Sequence, residues 1–222
     1  MPGGDDVGHD QILADRRKPV SSVAPPGQLA MGQILFVQGG GEGTHDAWDD
    51  KLVASLTTAL GAGHEVRYPR MPDEQDPSST TWVPAIQREL GSLADNAVVV
   101  GHSVGGTLLV QALTTGTRLP TLAGIVLISA PFVGPGGWPG EAFELASDLG
   151  ARLPSGAPVE VFHGLDDQVV PPSHARLYGD AIPQARLHLL PGRDHQLDDD
   201  LREVAAVIDA SRRNAPSLGR GG

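Results

Sequence analysis

The sequence predicts an α/β fold, a three-layer α/β/α sandwich built on a mostly parallel, six-stranded sheet. Two observations carry that prediction. Short apolar runs, rich in β-branched residues and closed by Gly, Pro or polar residues, read as buried strands. Between them lie longer stretches whose apolar residues recur every three or four positions, as on the buried face of a helix. Their alternation calls for parallel strands joined by helices on both faces through right-handed crossovers.

The elements follow in order. Ile34-Leu35-Phe36-Val37 is the first strand, ended by glycines, and Trp48, Leu52, Leu56 and Leu60 mark the helix after it. His64–Tyr68 reads as the second strand. A Ser/Thr cluster at 78–81 can cap a helix carrying Trp82, Ile86, Leu90 and Leu93. Ala97-Val98-Val99-Val100 is the third strand, followed by a helix from Ser103 through Leu113. Leu122–Ile128 is the fourth strand, then a loop rich in Gly and Pro (131–140) and a helix expected near 141–149. Val159–Phe162, a helix near 173–181, Ala185–Leu190, and a last helix with Leu201, Val204, Ala205 and Ile208 complete the pattern.

The domain is expected over 31–214. Residues 1–30, polar and rich in Gly and Pro, read as a flexible arm, and 215–222 as a flexible tail. A formal net charge of -11 argues against a nucleic-acid partner, which needs clustered Lys and Arg. The absence of cysteine excludes disulfides, thiolate chemistry and Cys-ligated metals. No set of His and carboxylates has metal-ligand spacing, and no cofactor is called for. The Asp198-Asp199-Asp200 run reads as the solvated start of a helix. With no signal-peptide core in the first residues and no stretch of membrane-spanning length, the expected location is the cytoplasm, without a membrane partner. The expected assembly is a monomer or small homo-oligomer.

The chemistry is carried by Gly101-His102-Ser103-Val104-Gly105, a G-x-S-x-G pattern placed directly after an apolar strand and directly before a helical run. That context is what a nucleophile elbow requires. The turn is so tight that the flanking positions must be tiny, and Gly101, Gly105 and Gly106 meet the condition. Ser103 is then projected above the strand end, where the Val104 N–H faces a developing oxyanion. A serine hydroxyl needs a base. In this architecture the acid and then the base follow the serine in the chain, each just past a later strand. Asp166 and Asp167 both leave the end of Val159–Phe162, and His195 follows Ala185–Leu190. Imidazole suits the role because it titrates near neutrality. The second oxyanion donor is expected from the loop after the first strand, Gln38-Gly39-Gly40-Gly41-Glu42-Gly43, at Gly40 or else Gly41. The same glycines are not a phosphate-binding loop, because they lack the G-x-G-x-x-G spacing and the P-loop Lys, and Glu42 would repel phosphate.

With these pieces assembled, V-Q-G-G-G (37–41), V-V-G-H-S-V-G-G (99–106), H-G-L-D-D-Q-V-V-P (163–171) and G-R-D-H (192–195) resemble the α/β-hydrolase family, and more narrowly its small single-domain serine hydrolases such as the retinoblastoma-binding hydrolase group. The family pattern G-x-x-D-x-x-V-P selects Asp167 over Asp166. The resemblance implies hydrolysis of carboxylic esters, sometimes thioesters or amides, through an acyl-enzyme. Peptidase or acyltransferase chemistry on the same triad, or a non-catalytic binding protein of the same fold, are the alternatives. Gln38 stands where many members have His, the two leading antiparallel strands of larger members are missing, and 131–157 is too short for a large lid. The short segment implies an open site for small acyl groups. Phe132 and Trp138 are its expected apolar walls, with His102 and His45 as further substrate-binding candidates; Phe143 suits a wall or the core equally.

Overall fold

The β-branched runs pair side by side and the amphipathic stretches cover them. The computed structural model describes residues 31–115, 119–140, 143–146 and 148–214; the expected arm and tail lie outside the described residues. In chain order the elements are β1 (Gly32–Val37), α1 (Asp49–Leu60), β2 (His64–Arg67), α2 (Ser79–Leu90), β3 (Ala97–His102), α3 (Val104–Thr114), β4 (Leu122–Ile128), α4 (Leu149–Arg152), β5 (Val159–Gly164), α5 (Ser173–Ala181), β6 (Ala185–Leu190) and α6 (Arg202–Asn214). The strand order is β2-β1-β3-β4-β5-β6, and every neighbouring pair is parallel.

Alternation along the strands divides the core into two layers. Ile34, Phe36, Val98 and Val100 pack with Leu52 and Leu56 of α1 and Val204 and Ile208 of α6. Leu35, Val37 and Val99 pack on the other face with Trp82 and Ile86 of α2, Leu108 and Leu109 of α3, and Tyr178 of α5. Each fully buried aliphatic chain contributes about 1.5–3 kcal/mol. The two layers therefore outweigh the local strain that the site below requires.

Two expectations are corrected. The helix expected near 141–149 is, among the described residues, the single turn α4. Upstream of it the Phe143 amide donates to the Gly140 carbonyl (3.0 Å) and the Leu145 amide to that of Val133 (2.9 Å), so this backbone is satisfied by the loop before it. The Asp198-Asp199-Asp200 run precedes α6 rather than opening it, with Leu197, Asp198 and Asp199 at positive φ. Asp200 accepts the Arg202 amide (3.1 Å) at the helix entrance.

The topology also locates a crevice. From β1 the chain passes to β2 on one side, then returns across to β3 on the other. The loops leaving β1 and β3 diverge there, at the carboxyl end of the sheet, where such folds place their ligands.

Candidate active site

The end of β3 supplies the elbow. Ser103 has φ 51° and ψ −135°, a conformation costing a non-glycine residue roughly 1–3 kcal/mol. Its neighbours allow the turn by having no side chain. A Cβ on Gly105 would land on the Gln38 carbonyl, and one on Gly106 would lie 2.7 Å from Ala130 Cβ. The turn is secured by the Ser103 amide donating to the Ile128 carbonyl (2.9 Å) and the Gly106 amide to that of Ser103 (2.9 Å).

The loops after β5 and β6 are bound to one another. The Leu165 amide donates to the Leu190 carbonyl (2.9 Å) and the Asp166 amide to that of Arg193 (2.9 Å). This brings Asp167 against His195. His195 Nδ1 donates to Asp167 Oδ2 (2.8 Å), and Nε2 lies 3.1 Å from Ser103 Oγ. A carboxylate only accepts, so the hydrogen sits on Nδ1 and the Nε2 lone pair faces the serine hydroxyl. Asp166 is exposed at the neighbouring position.

Four donors converge on Asp167. The Val169 and Val170 amides bind Oδ1 (2.8 and 2.9 Å), and His163 Nε2, shared with the Val170 carbonyl (2.9 Å), joins His195 at Oδ2 (3.2 Å). Burial pushes its carboxyl up, but the hydrogen bonds of His163, His195 and the Val170 amide outweigh this and hold it well below the usual carboxylate range. Burial is also the main force on His195 and moves its imidazole below the ordinary value. The nearby His102 and His163 rings act the same way, while Asp167 opposes them. A lowered imidazole is suited to accept a proton near neutral pH.

The loop after β1 is held from two sides. Asp49 Oδ2 accepts the Gly39 amide (2.7 Å), and the Glu74 carbonyl accepts that of Gly41 (2.6 Å). The Glu74 carboxylate also binds the Gly43 and His45 amides and Gln38 Nε2 (3.1, 3.2 and 2.8 Å). Gly41 is thereby removed as an oxyanion donor, since its N–H is committed. Gly40 lies between the two fixed amides, and a Cβ there would be 2.9 Å from Val104 Cγ1. Val104 is the first residue of α3, so its N–H has no partner within the helix.

The remaining expected residues make contacts of their own. His102 is buried, with Nδ1 on Asp49 Oδ2 (2.9 Å) and Nε2 on the His195 carbonyl (3.2 Å), so it is not a pocket wall. Phe132 is buried in the core, edge-on to Tyr178 at 5.2 Å. Trp138 is exposed and meets His174 edge-on at 5.4 Å. His45 stacks on Tyr68 at 4.2 Å and bonds Asp46, and Phe143 packs against the core. Sequence reasoning missed Asp49, Glu74 and His163. Only His163 carried a signal, its place four residues before Asp167 at the strand end. Among the described residues no group of His and carboxylates is arranged to hold a metal ion.

A parallel sheet flanked by helices, with a serine at a strained strand–helix elbow, defines the α/β-hydrolase class. The profile of the Serine hydrolase family matches residues 34–200, and the chain belongs to that family. Solved structures of the same fold include the ydeN gene product of B. subtilis (21% identity, TM-score 0.66, covering 82% of this chain and 100% of that one). They also include CarC, a serine hydrolase involved in carbazole degradation (14%, TM-score 0.64, 84% and 92%), and the esterase domain of a Rhodothermus marinus protein (19%, TM-score 0.59, 85% and 90%). The narrower resemblance to the retinoblastoma-binding group finds no support in these matches. No curated protein shows significant similarity to the chain.

Proposed function

We propose that the protein is a serine esterase acting on carboxylic esters of small or short-chain acyl groups through an acyl-enzyme. The observation that carries the reading is the unbroken series Ser103 Oγ, His195 Nε2, His195 Nδ1, Asp167 Oδ2, at 3.1 and 2.8 Å, on a strained elbow. Ser103 Oγ attacks the acyl carbon while His195 takes its proton. His195 returns that proton to the leaving alcohol, and Asp167 fixes the tautomer and stabilises the imidazolium. Water, activated by the same imidazole, then releases the acid. The Val104 and Gly40 N–H groups receive the oxyanion. The shortness of 131–157 supports small acyl groups. The same reading takes a small-molecule ester as partner and a cytoplasmic monomer or small homo-oligomer as the working form. Among the described residues no helix is long and apolar enough to cross a membrane.

The test is turnover of p-nitrophenyl acetate with fluorophosphonate labelling. Ser103→Ala should abolish labelling and lower kcat by about four to six orders of magnitude. Equal turnover by the folded variant would refute the assignment. Matched ester, thioester and peptide substrates then rank the chemistries that share this first step.

A further inference from the structure

A second Asp–His pair lies beside the first. Asp49, the first residue of α1, and His102, the last of β3, are fully buried, with Oδ2 and Nδ1 2.9 Å apart. The other nitrogen, Nε2, faces the main-chain carbonyl of His195 at 3.2 Å. Both ring nitrogens of His102 therefore confront atoms that only accept. A neutral imidazole carries one N–H and would leave a lone pair against an oxygen; an imidazolium satisfies both. Asp49 is matched to that charge, because it also accepts the Gly39 amide (2.7 Å) and lies 3.5 Å from Gln196 Nε2.

We infer that Asp49 and His102 are positioning residues, an imidazolium–carboxylate pair that ties the backbone of His195 to the loop carrying Gly40 and sets a positive charge beside the His195 ring. The chain of bonds runs from the His195 carbonyl through His102 and Asp49 to the Gly39 amide, one residue from the proposed oxyanion donor. The two imidazole rings are 5.0 Å apart between centroids. The inference rests on Ser103 and His195 acting as proposed above.

The charges around both rings agree with it. Burial would push His102 down, but Asp49, the His195 carbonyl and Asp167 outweigh that and raise it above the ordinary imidazole value. Burial raises the Asp49 carboxyl, and His102, the Gly39 amide and Gln196 overcome it, leaving it lowered. His195 is faced by Asp167 from the β5 loop, His163 from β5 and His102 from β3. A fixed charge on His102 disfavours a second charge on His195, so the base stays neutral to lower pH.

Nuclear magnetic resonance titration of the histidines in the full chain tests this, with kcat and KM on p-nitrophenyl acetate measured alongside. In the unaltered protein, His102 should show two protonated ring nitrogens at a pH where His195 is neutral. His102→Gln should raise the His195 midpoint by at least about half a unit, move the acid limb of kcat/KM the same way, and lower kcat about tenfold with little change in KM. Asp49→Asn should act in the same direction but less, and serves if the first variant does not fold. A neutral His102 at pH 7 in the unaltered protein, or a His195 midpoint that is unchanged or lowered in the folded variants, overturns the inference. The ring titration reads out whether or not an ester is cleaved. Loss of the esterase reading would instead appear as an unlabelled Ser103.

Discussion

Two aspartate–histidine pairs stand side by side at the carboxyl end of this sheet, with nearly equal contacts of 2.8 Å for Asp167–His195 and 2.9 Å for Asp49–His102. Their difference lies at the far nitrogen. His195 Nε2 meets a hydroxyl, which can give up a proton; His102 Nε2 meets a carbonyl, which can only receive a hydrogen bond. The first imidazole is pushed down and can act as a base. The second is pushed up and holds its proton. A carboxylate beside a histidine thus does not by itself define a catalytic base.

The contrast breaks most sharply on the carboxylates. Asp167→Asn can present its amide to His195 and favour the wrong tautomer, so kcat should fall about 10⁴-fold. Asp49→Asn removes a partner that never contacts the reacting atoms, and kcat should fall by less than about tenfold. Steady-state kinetics of the two folded variants decide it; equal losses would erase the distinction between the pairs.

Stability should divide the histidines the other way. His102→Ala leaves a buried carboxylate uncompensated and should cost about 3–5 kcal/mol, read by urea unfolding, whereas His195→Ala removes a partly exposed ring and should cost far less. The pH dependence has a definite sign. His102 is raised in the fold, so its contribution is complete below its unfolded value of about 6.5 and is lost as pH rises through the folded one. Asp49 is lowered, so its contribution is present above about 3.9 and is lost as pH falls through its folded value. The stability gap between the unaltered protein and His102→Ala should therefore be widest between those limits and narrow toward alkaline pH.

The two pairs also differ in how far the sequence reveals them. Ser103 is announced by a local pattern of five residues, and Asp167 and His195 by their order and their places just after strands. Those are constraints of chain path, so the all-parallel sheet and this pair are legible together. Asp49 is 53 residues from His102, and nothing local distinguishes it from Asp50 beside it; only packing of α1 under β3 turns it inward. Gly41 fails as a donor for a similar reason. Its composition permits the role, but the direction of its N–H is set by the Glu74 carbonyl on a distant loop. Phe132 sits among Gly and Pro residues that suit a pocket rim or a core equally, and only the fold shows it buried in the core cluster against Tyr178.

The smallest expected effect sharpens the first pair at its most ambiguous point. Asp166 and Asp167 are adjacent carboxylates in the turn that follows β5, and the path of that turn buries one and exposes the other. Asp167 turns inward to receive four donors, while the side chain of Asp166 is exposed and only its main chain is engaged, its amide on the Arg193 carbonyl and its carbonyl accepting Gln168 Nε2. Asp166→Asn keeps that amide and removes an exposed charge screened by water and salt. Its kcat/KM on p-nitrophenyl acetate should stay within about twofold of the unaltered enzyme. A loss approaching that of Asp167→Asn would mean that the wrong carboxylate had been assigned to His195, and that the loop after β5 follows a register one residue away from the one described.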